Sequence, residues 1–304
     1  MKKVGVIGAA GDVGALVAYN LATEGLADEI VLIDLLEEKA RAQASDLKHG
    51  IAWEQDTEIY QGDYKDASET DIFVITAGKP RKPGMSRLDL IKANKEIMKD
   101  ISQKINKVSP EAITITTTNP LDVMNYSLYH YGDRPRKKTL GEAGMLDSAR
   151  FRSVLAEKFD VGMTDVMAYI IGEHGDSQVP LFSQIRINGE KITIDSKEEQ
   201  EEILETLRGS AMKVIEGKGA TVFGPGRGVT LMVDCILNDE KEVYPCSVVP
   251  KGEYGLEGAS IGLPVKLGSK GVEEIVEWDI SNEEREELQS SHEKLVEACE
   301  KEIT

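Results

Sequence analysis

The stretch Val4-Gly5-Val6-Ile7-Gly8-Ala9-Ala10-Gly11-Asp12-Val13-Gly14 decides the fold. A short apolar run ends at Gly8, two alanines follow, and glycines return at Gly11 and Gly14 as the amphipathic pattern Val13–Glu24 begins. An apolar strand that enters a glycine-rich turn and leaves it as a helix is the opening unit of a βαβ crossover. Glycine at this spacing lets the backbone come close to phosphate and lets the helix pack on the sheet. The unpaired N–H groups and the helix dipole at that end favour a pyrophosphate. Twenty residues after Gly14, Asp34 closes a second apolar run, Ile30–Ile33. An acid there hydrogen-bonds the ribose hydroxyls of an adenosine and repels a 2′-phosphate, so the sequence predicts NAD rather than NADP.

Two further apolar runs, Ile72–Thr76 and Ile113–Thr116, alternate with the amphipathic stretches Glu37–His49 and Ser86–Val108. This alternation predicts an α/β fold with a Rossmann-type doubly wound parallel sheet and right-handed crossovers. The pattern then changes. Val166–Ile171 reads as one strand, and Ile185–Ile187 and Ile192–Ile194 flank the hairpin signal Asn188-Gly189. Lys197–Glu216 reads as a long helix, Val243–Val249 and Ala259–Leu267 as paired strands, and Asn282–Ile303 as a charged terminal helix. The second half is therefore expected to form an α+β domain. No linker marks the boundary, which is placed near residue 140: a cofactor-binding domain over 1–140 and a substrate-binding, catalytic domain over 141–304.

Composition restricts the partners. The 304 residues are 40% hydrophobic and 30% charged, as in a soluble globular protein. No run approaches the length of a membrane span, and Met1–Gly8 has no apolar signal region, so neither membrane insertion nor secretion is expected. Cys235, Cys246 and Cys299 form no CxxC pair and no even disulfide set, which fits a reducing cytoplasm and predicts no metal site. A net charge of -18 argues against nucleic acid as a partner. Residues 1–150 hold 23 acids and 20 bases, whereas residues 151–304 hold 31 and 16. The acidic half is either an ordinary solvated surface or one tuned to high salt, where screening removes self-repulsion. With 25 lysines against 11 arginines, only partial salt adaptation is expected.

The chemistry-bearing residues lie between these elements. His174 lies in Gly172-Glu173-His174-Gly175-Asp176, and the unperturbed pKa of a histidine suits proton exchange with an alcohol or ketone oxygen near neutrality. Such a histidine needs a carboxylate to fix its tautomer, and Asp147 is the candidate. Arg150 follows Asp147 by one helical turn, so one face presents an acid to the imidazole and a guanidinium to a substrate carboxylate. Asn119-Pro120 follows the Ile113–Thr116 run, at a strand end where open sheets bind ligands. Lys79–Ser86, which carries two prolines, a glycine and Arg81, reads as a closing loop before a helix that begins near Arg87, with Arg87 placed to polarise a carbonyl. Taken singly, each has a plainer reading: a structural loop histidine, a helix N-cap at Asp147, an intrahelical ion pair at Arg150, an Asn-Pro turn, or solvated arginines.

Together they carry a resemblance. Gly8–Gly14, Ile75–Leu90, Thr117-Thr118-Asn119-Pro120-Leu121-Asp122, Leu146-Asp147-Ser148-Ala149-Arg150-Phe151-Arg152, Gly172–Pro180, Lys218-Gly219-Ala220-Thr221 and Gly271–Trp278 occur in that order. Over nearly its full length the chain resembles the lactate/malate dehydrogenase superfamily, and most of all the lactate-dehydrogenase-like malate dehydrogenases of haloarchaea. The resemblance implies reversible, NAD-dependent oxidation of malate to oxaloacetate. It implies His174 as proton donor and acceptor, Asp147 as its partner, Arg150 on the C1 carboxylate, Arg87 on the carbonyl, Asn119 orienting substrate and cofactor, and Thr221 lining the pocket. Arg81 falls where malate dehydrogenases carry arginine and lactate dehydrogenases glutamine, so it would pair with the second carboxylate. Cofactor contacts are implied at Gly8, Gly11, Asp12, Val13, Gly14, Asp34, Thr76, Ala77, Gly78, Asn94, Thr117 and Asn119. A homotetramer, a dimer of dimers with inorganic ions at its interfaces, is implied as well. The rival readings are a lactate dehydrogenase or relaxed 2-oxoacid reductase, a metal- and NAD-dependent glycosidase on the same fold, and a non-catalytic nucleotide-binding scaffold.

Overall fold

The computed structural model describes residues 1–80 and 87–304, without the side chains of Arg87 and Ala211. The elements run β1 (Lys3–Ile7), α1 (Asp12–Thr23), β2 (Glu29–Ile33), α2 (Glu37–Ile51), β3 (Glu58–Gln61), β4 (Ile72–Ile75), α3 (Arg87–Val108), β5 (Ile113–Thr116), α4 (Leu121–Gly132) and β6 (Thr139–Glu142). They continue with α5 (Gly144–Phe159), β7 (Val166–Met167), β8 (Ile170–Gly172), β9 (Gln178–Pro180), β10 (Arg186–Ile187), β11 (Glu190–Lys191), α6 (Lys197–Lys218), α7 (Phe223–Leu237), β12 (Val243–Val248), β13 (Ile261–Gly268), β14 (Gly271–Ile275) and α8 (Asn282–Glu302).

β1 lies between β2 and β4, parallel to both, and its apolar residues are buried. A parallel strand covered by helices on both faces reads as a continuous apolar run, as Val4–Ile7 does. The parallel part of the sheet has the order β3-β2-β1-β4-β5-β6, with the direction of winding reversing between β1 and β4. Register places Ile7 beside Ile33 and Ile75, and Ile75 beside Thr116. The carboxyl ends of four strands are therefore level, and the loops that leave them at Gly8, Asp34, Thr76 and Thr117 meet along one edge.

The sheet does not stop where the sequence pattern changes. β6 pairs with β5 in parallel and with β12 antiparallel, and β13, β8 and β9 extend the same sheet, with β14 on β13. Among the described residues this gives eleven strands in one sheet. A three-stranded sheet, β11-β10-β7, stands apart and packs with α5 and α6 around Phe151, Leu155, Val166, Ile185 and Ile203.

The strands and helices expected in the first half agree with the structure to within two residues, but β3 and β6 carry too few apolar residues to be read in advance. In the second half, Val166–Ile171 is a correction. It divides into β7 and β8, which belong to different sheets. Val166, Ala168 and Ile170 face the smaller core and Ile171 the larger one, a change of side that an unpunctuated apolar run conceals. Asn188 and Gly189 do form the hairpin turn, with φ of 52° and 81°, the geometry of a type I′ turn. The hairpin is shorter than expected, because Ile192–Ile194 lies outside any strand. No helix among the described residues is long and apolar enough to cross a membrane.

Candidate active site

At the carboxyl end of β1, Gly8 has φ of +92°, and a Cβ there would lie 2.5 Å from the Ala77 nitrogen. Only glycine lets the turn after β1 approach the turn after β4 so closely. A Cβ at Gly14 would lie 2.7 Å from the Gly8 oxygen, so the third glycine is what seats α1 against the turn. Gly11 caps α1 with no side-chain hydrogen bond, which leaves the first-turn N–H groups at Asp12, Val13 and Gly14 without a side-chain cap. Thr76 Oγ1 donates to the Ile7 and Gly8 carbonyls, 3.1 Å to each, and Thr117 Oγ1 donates to the Ile75 carbonyl. Gly78 packs on Thr118 with no room for a side chain, since a Cβ would lie 2.4 Å from Thr118 Cγ2.

At the end of β2, Asp34 Oδ2 accepts from the Ala10 N–H at 3.0 Å and Oδ1 from the Leu36 N–H at 2.9 Å. The carboxylate is thus held at the rim of the glycine turn, beside the solvent-exposed apolar side chains of Leu35 and Leu36. A glycine cradle at a helix N-terminus with a fixed acid and apolar surface beside it fits a dinucleotide: amides for the pyrophosphate, carboxylate for a ribose, apolar surface for a base.

The second group of residues comes from α5 and the turn after β8. Asp147 is buried in the first turn of α5; Ala143 is the N-cap, so Asp147 is not. Its Oδ2 lies 2.7 Å from His174 Nδ1 and its Oδ1 3.1 Å from Arg150 Nη1. Arg150 Nη2 reaches Thr221 Oγ1 at 3.4 Å. The His174 N–H donates to Asp122 Oδ2 at 2.8 Å, which ties the histidine's backbone to α4. One carboxylate therefore orients the ring and a second holds the peptide. With Nδ1–H given to Asp147, Nε2 is the nitrogen left to exchange a proton with substrate.

A family model for the lactate/malate dehydrogenase NAD binding domain matches residues 2–141, and one for the lactate/malate dehydrogenase alpha/beta C-terminal domain matches residues 144–304. The chain belongs to the lactate/malate dehydrogenase family. Within that family it is 51% identical to a malate dehydrogenase of Halobacterium salinarum over 97% of each chain. Its fold superposes on a minor L-lactate dehydrogenase from Enterococcus mundtii with a TM-score of 0.92 at 32% identity, covering 99% and 98% of the two chains. On a malate dehydrogenase from Salinibacter ruber the TM-score is 0.90 at 35% identity, covering 98% and 96%.

Not every residue expected in this dehydrogenase's site is brought to it in the expected way. Asn94 is buried and its amide is used by the chain itself: Oδ1 accepts from the Lys79 N–H, and Nδ2 donates to the carbonyls of Lys79 and Asn119. The exposed Asn119, joined to Pro120 by a cis peptide, is thereby fixed through its backbone. Arg81 lies outside the described residues, and so does the side chain of Arg87, the residue that opens α3.

Two buried carboxyls beside the dyad went unread in the sequence. Glu142, at the end of β6, accepts from the Leu146 N–H at 3.2 Å, filling a first-turn position of α5. Asp122 lies in the first turn of α4. Their only signal is a single acid in an otherwise small or apolar setting, Gly141-Glu142-Ala143-Gly144 and Leu121-Asp122-Val123-Met124. Burial pushes Glu142 up to about 8, helped by Asp147 and opposed by His174 and Arg150. Burial also raises Asp122 to about 6, against the hydrogen bonds it accepts from Ser247 and His174. Burial on its own pulls His174 down, but the charge and hydrogen bond of Asp147, with Asp122 and Glu142 behind it, hold the imidazole up at about 9. The site thus favours the protonated form of the histidine.

Proposed function

We propose that the chain is an NAD-dependent malate dehydrogenase, interconverting (S)-malate and oxaloacetate. The observation that carries this reading is the His174–Asp147 pair with Arg150 on the same carboxylate, at 2.7 and 3.1 Å, in a chain about half identical to a haloarchaeal malate dehydrogenase over nearly its whole length. When bound, NAD supplies the hydride acceptor for malate, or in reduced form the hydride donor for oxaloacetate.

In the oxidation direction, His174 Nε2 takes the hydroxyl proton of malate while Asp147 stabilises the resulting imidazolium. In reduction the imidazolium returns that proton to the carbonyl oxygen. Arg150, with Thr221 beside it, receives the C1 carboxylate in a two-pronged hydrogen bond. Arg87 polarises the carbonyl, and Asn119 orients the substrate. Arg81 pairs with the second carboxylate; pyruvate, with a methyl there, leaves that guanidinium desolvated and unpaired. Residues 1–140 bind the cofactor through Gly8, Gly11, Asp12, Val13, Gly14, Asp34, Thr76, Ala77, Gly78, Asn94, Thr117 and Asn119. Residues 141–304 carry the dyad.

The enzyme works in the cytoplasm, at the malate step of the tricarboxylic acid cycle, as a homotetramer whose acidic subunits associate through screening ions at elevated salt. Initial rates of NADH oxidation with oxaloacetate and then pyruvate test the reading. A preference for oxaloacetate by orders of magnitude is expected; a preference for pyruvate makes the protein a lactate dehydrogenase.

A further inference from the structure

Behind the dyad lies a buried polar network that direct substrate contact does not explain. Asp122 Oδ1 accepts from Ser247 Oγ at 2.5 Å, and Ser247 Oγ lies 2.9 Å from Ser260 Oγ. Asn125 Nδ2 donates to Ser260 Oγ at 2.8 Å and to the Ser247 carbonyl at 3.1 Å. The other oxygen of Asp122 takes the His174 N–H at 2.8 Å. Asp122, Asn125, Ser247 and Ser260 are all buried. The carboxylate of α4 thus joins β12 to the turn that carries the proton-exchanging histidine, and Ser260, the residue preceding β13, braces Ser247 from behind.

A buried carboxylate is costly unless its hydrogen bonds are complete, and an apolar side chain would fill this position at no such cost. What the acid adds is direction and charge. Its hydrogen bond holds the peptide of His174 while Asp147 holds the ring, so the imidazole is fixed at two points. The ionisable groups acting on Asp122 include His174 and Glu173 from the turn after β8, and Asp122 in turn acts on Cys299 of α8, whose thiol burial pushes up to about 12. Those acting on His174 are Asp147, Asp122 and Glu142. The histidine is the cationic member of this set.

We infer that Asp122 is a positioning residue for proton transfer: its carboxylate fixes the His174 peptide and, as a second negative charge beside that of Asp147, favours the imidazolium from which oxaloacetate is reduced. The inference rests on the malate dehydrogenase reading for its catalytic consequence, but not for its effect on the histidine. At pH values above the Asp122 titration the charge is present and supports imidazolium; below it the carboxyl is neutral and the support is gone.

The test separates charge from anchoring. Asp122→Asn keeps an acceptor for the His174 N–H and removes the charge, Asp122→Ala removes both, and Ser247→Ala leaves the carboxylate but deletes the hydroxyl that stabilises its ionised form. The readout is the imidazole titration of His174 by nitrogen NMR in the unliganded, folded protein, assigned by its loss in His174→Gln, with thermal unfolding alongside. For Asp122→Asn the His174 titration should move down by about half a unit or more, and the alkaline limb of oxaloacetate reduction should move with it. Ser247→Ala serves as the control that keeps the charge: the Asp122 carboxylate stays ionised where His174 titrates, so the titration should stay in place. Asp122→Ala should in addition lower kcat about tenfold or more with a smaller change in KM. Unaltered His174 titration in folded Asp122→Asn, with only a lower Tm, overturns the inference. If Asp122→Asn does not fold, the titration of Asp122→Ala decides in its place. Should the wild type fail to turn over oxaloacetate, the functional reading fails, while the titration still decides the role of Asp122.

Discussion

Asp147 serves two cationic partners with separate oxygens, Oδ2 to His174 Nδ1 at 2.7 Å and Oδ1 to Arg150 Nη1 at 3.1 Å. The proposed proton-exchanging group and the proposed carboxylate anchor are therefore held by the same buried acid, one helical turn from the arginine. Asp147→Asn keeps the size of the side chain but removes its charge and presents an amide N–H to one partner. Oxaloacetate reduction should fall by about 10²-fold or more, within the usual range for disabled acid–base catalysis. The alkaline limb of the rate should also move to lower pH, because burial then pulls His174 down unopposed by that carboxylate. A pH profile of kcat/KM for the variant checks both; a profile that keeps the wild-type shape contradicts the role of Asp147.

The raised affinity of His174 for its proton also sets the pH response of the two directions. Reduction needs the imidazolium and oxidation the neutral ring. Reduction of oxaloacetate should therefore hold through neutral pH and decline as pH rises through about 9, while malate oxidation rises over the same interval. Parallel pH profiles in the two directions, instead of opposed ones, count against His174 as the exchanging group.

The same protons enter stability. His174 is raised to about 9 from an ordinary 6.5, Glu142 to about 8 from 4.5 and Asp122 to about 6 from 3.8. Each group binds its proton more tightly folded than unfolded. Its contribution is complete below the unfolded pKa and is lost as pH rises through the folded value. Between pH 6.5 and 8, His174 and Glu142 both act in this sense, so unfolding stability should fall with rising pH, at a limit of about 1.4 kcal/mol per unit for each proton. Urea unfolding at constant high salt, compared at the two ends of that range, measures it; equal stability with no change in Glu142→Gln refutes the assignment.

How far these groups were legible in the sequence depends on how local their partners are. Gly8, Gly11 and Gly14 could be read because the backbone they permit is local, and Asp34 because it ends the next strand of the same crossover. Asp147 and Arg150 could be read as a pair because three residues on a helix place them on one face. Asp122 could not: the atoms that explain it lie 52 residues away at His174 and 125 residues away at Ser247. Glu142 makes a local hydrogen bond to Leu146, but its burial depends on a sheet that continues through β6 into β12, where the sequence pattern suggested a boundary. Val166–Ile171 misled for the opposite reason, since an unbroken apolar run says nothing about which of two cores each residue enters.

Asp34 should decide the cofactor. Its carboxylate is held by the N–H groups of Ala10 and Leu36 at the place where a ribose is expected, and a fixed negative charge repels a 2′-phosphate. Asp34→Ser retains one acceptor and removes the charge. The ratio of kcat/KM for NADH over NADPH should drop by about tenfold or more, equivalent to about 1.4 kcal/mol. A wild-type enzyme equally active with both cofactors removes this role from Asp34.

Arg81 should decide the substrate. Arg81→Gln removes the charge proposed to pair with the second carboxylate and leaves a neutral side chain that tolerates a methyl group. Oxaloacetate turnover should fall and pyruvate turnover rise, with the preference changing by about 10²-fold or more, as expected when a charged partner is lost from a closed site. Initial rates with both substrates measure the change. An unaltered ratio means that Arg81 does not meet the substrate.

The last expectation concerns assembly, and it follows from where the charge lies. Residues 151–304 carry 31 acids against 16 bases, so copies brought together through this half repel one another unless ions screen or neutralise them. Some of the surface is ill suited to water on its own: Trp53 is 95% exposed, and Met163 and Phe223 are exposed as well. Burial of such side chains favours association at any ionic strength, while charge repulsion opposes it only at low salt. The balance between them should therefore tip with salt alone. Sedimentation should find the tetramer in molar KCl and smaller species as the salt is lowered, with enzymatic stability falling over the same interval. The 16 bases intermixed with those acids soften that dependence, so the transition should lie at lower salt than an arginine- and lysine-poor acidic surface would require. A sedimentation coefficient that stays flat from low to molar salt would show that the interfaces avoid the acidic surface altogether.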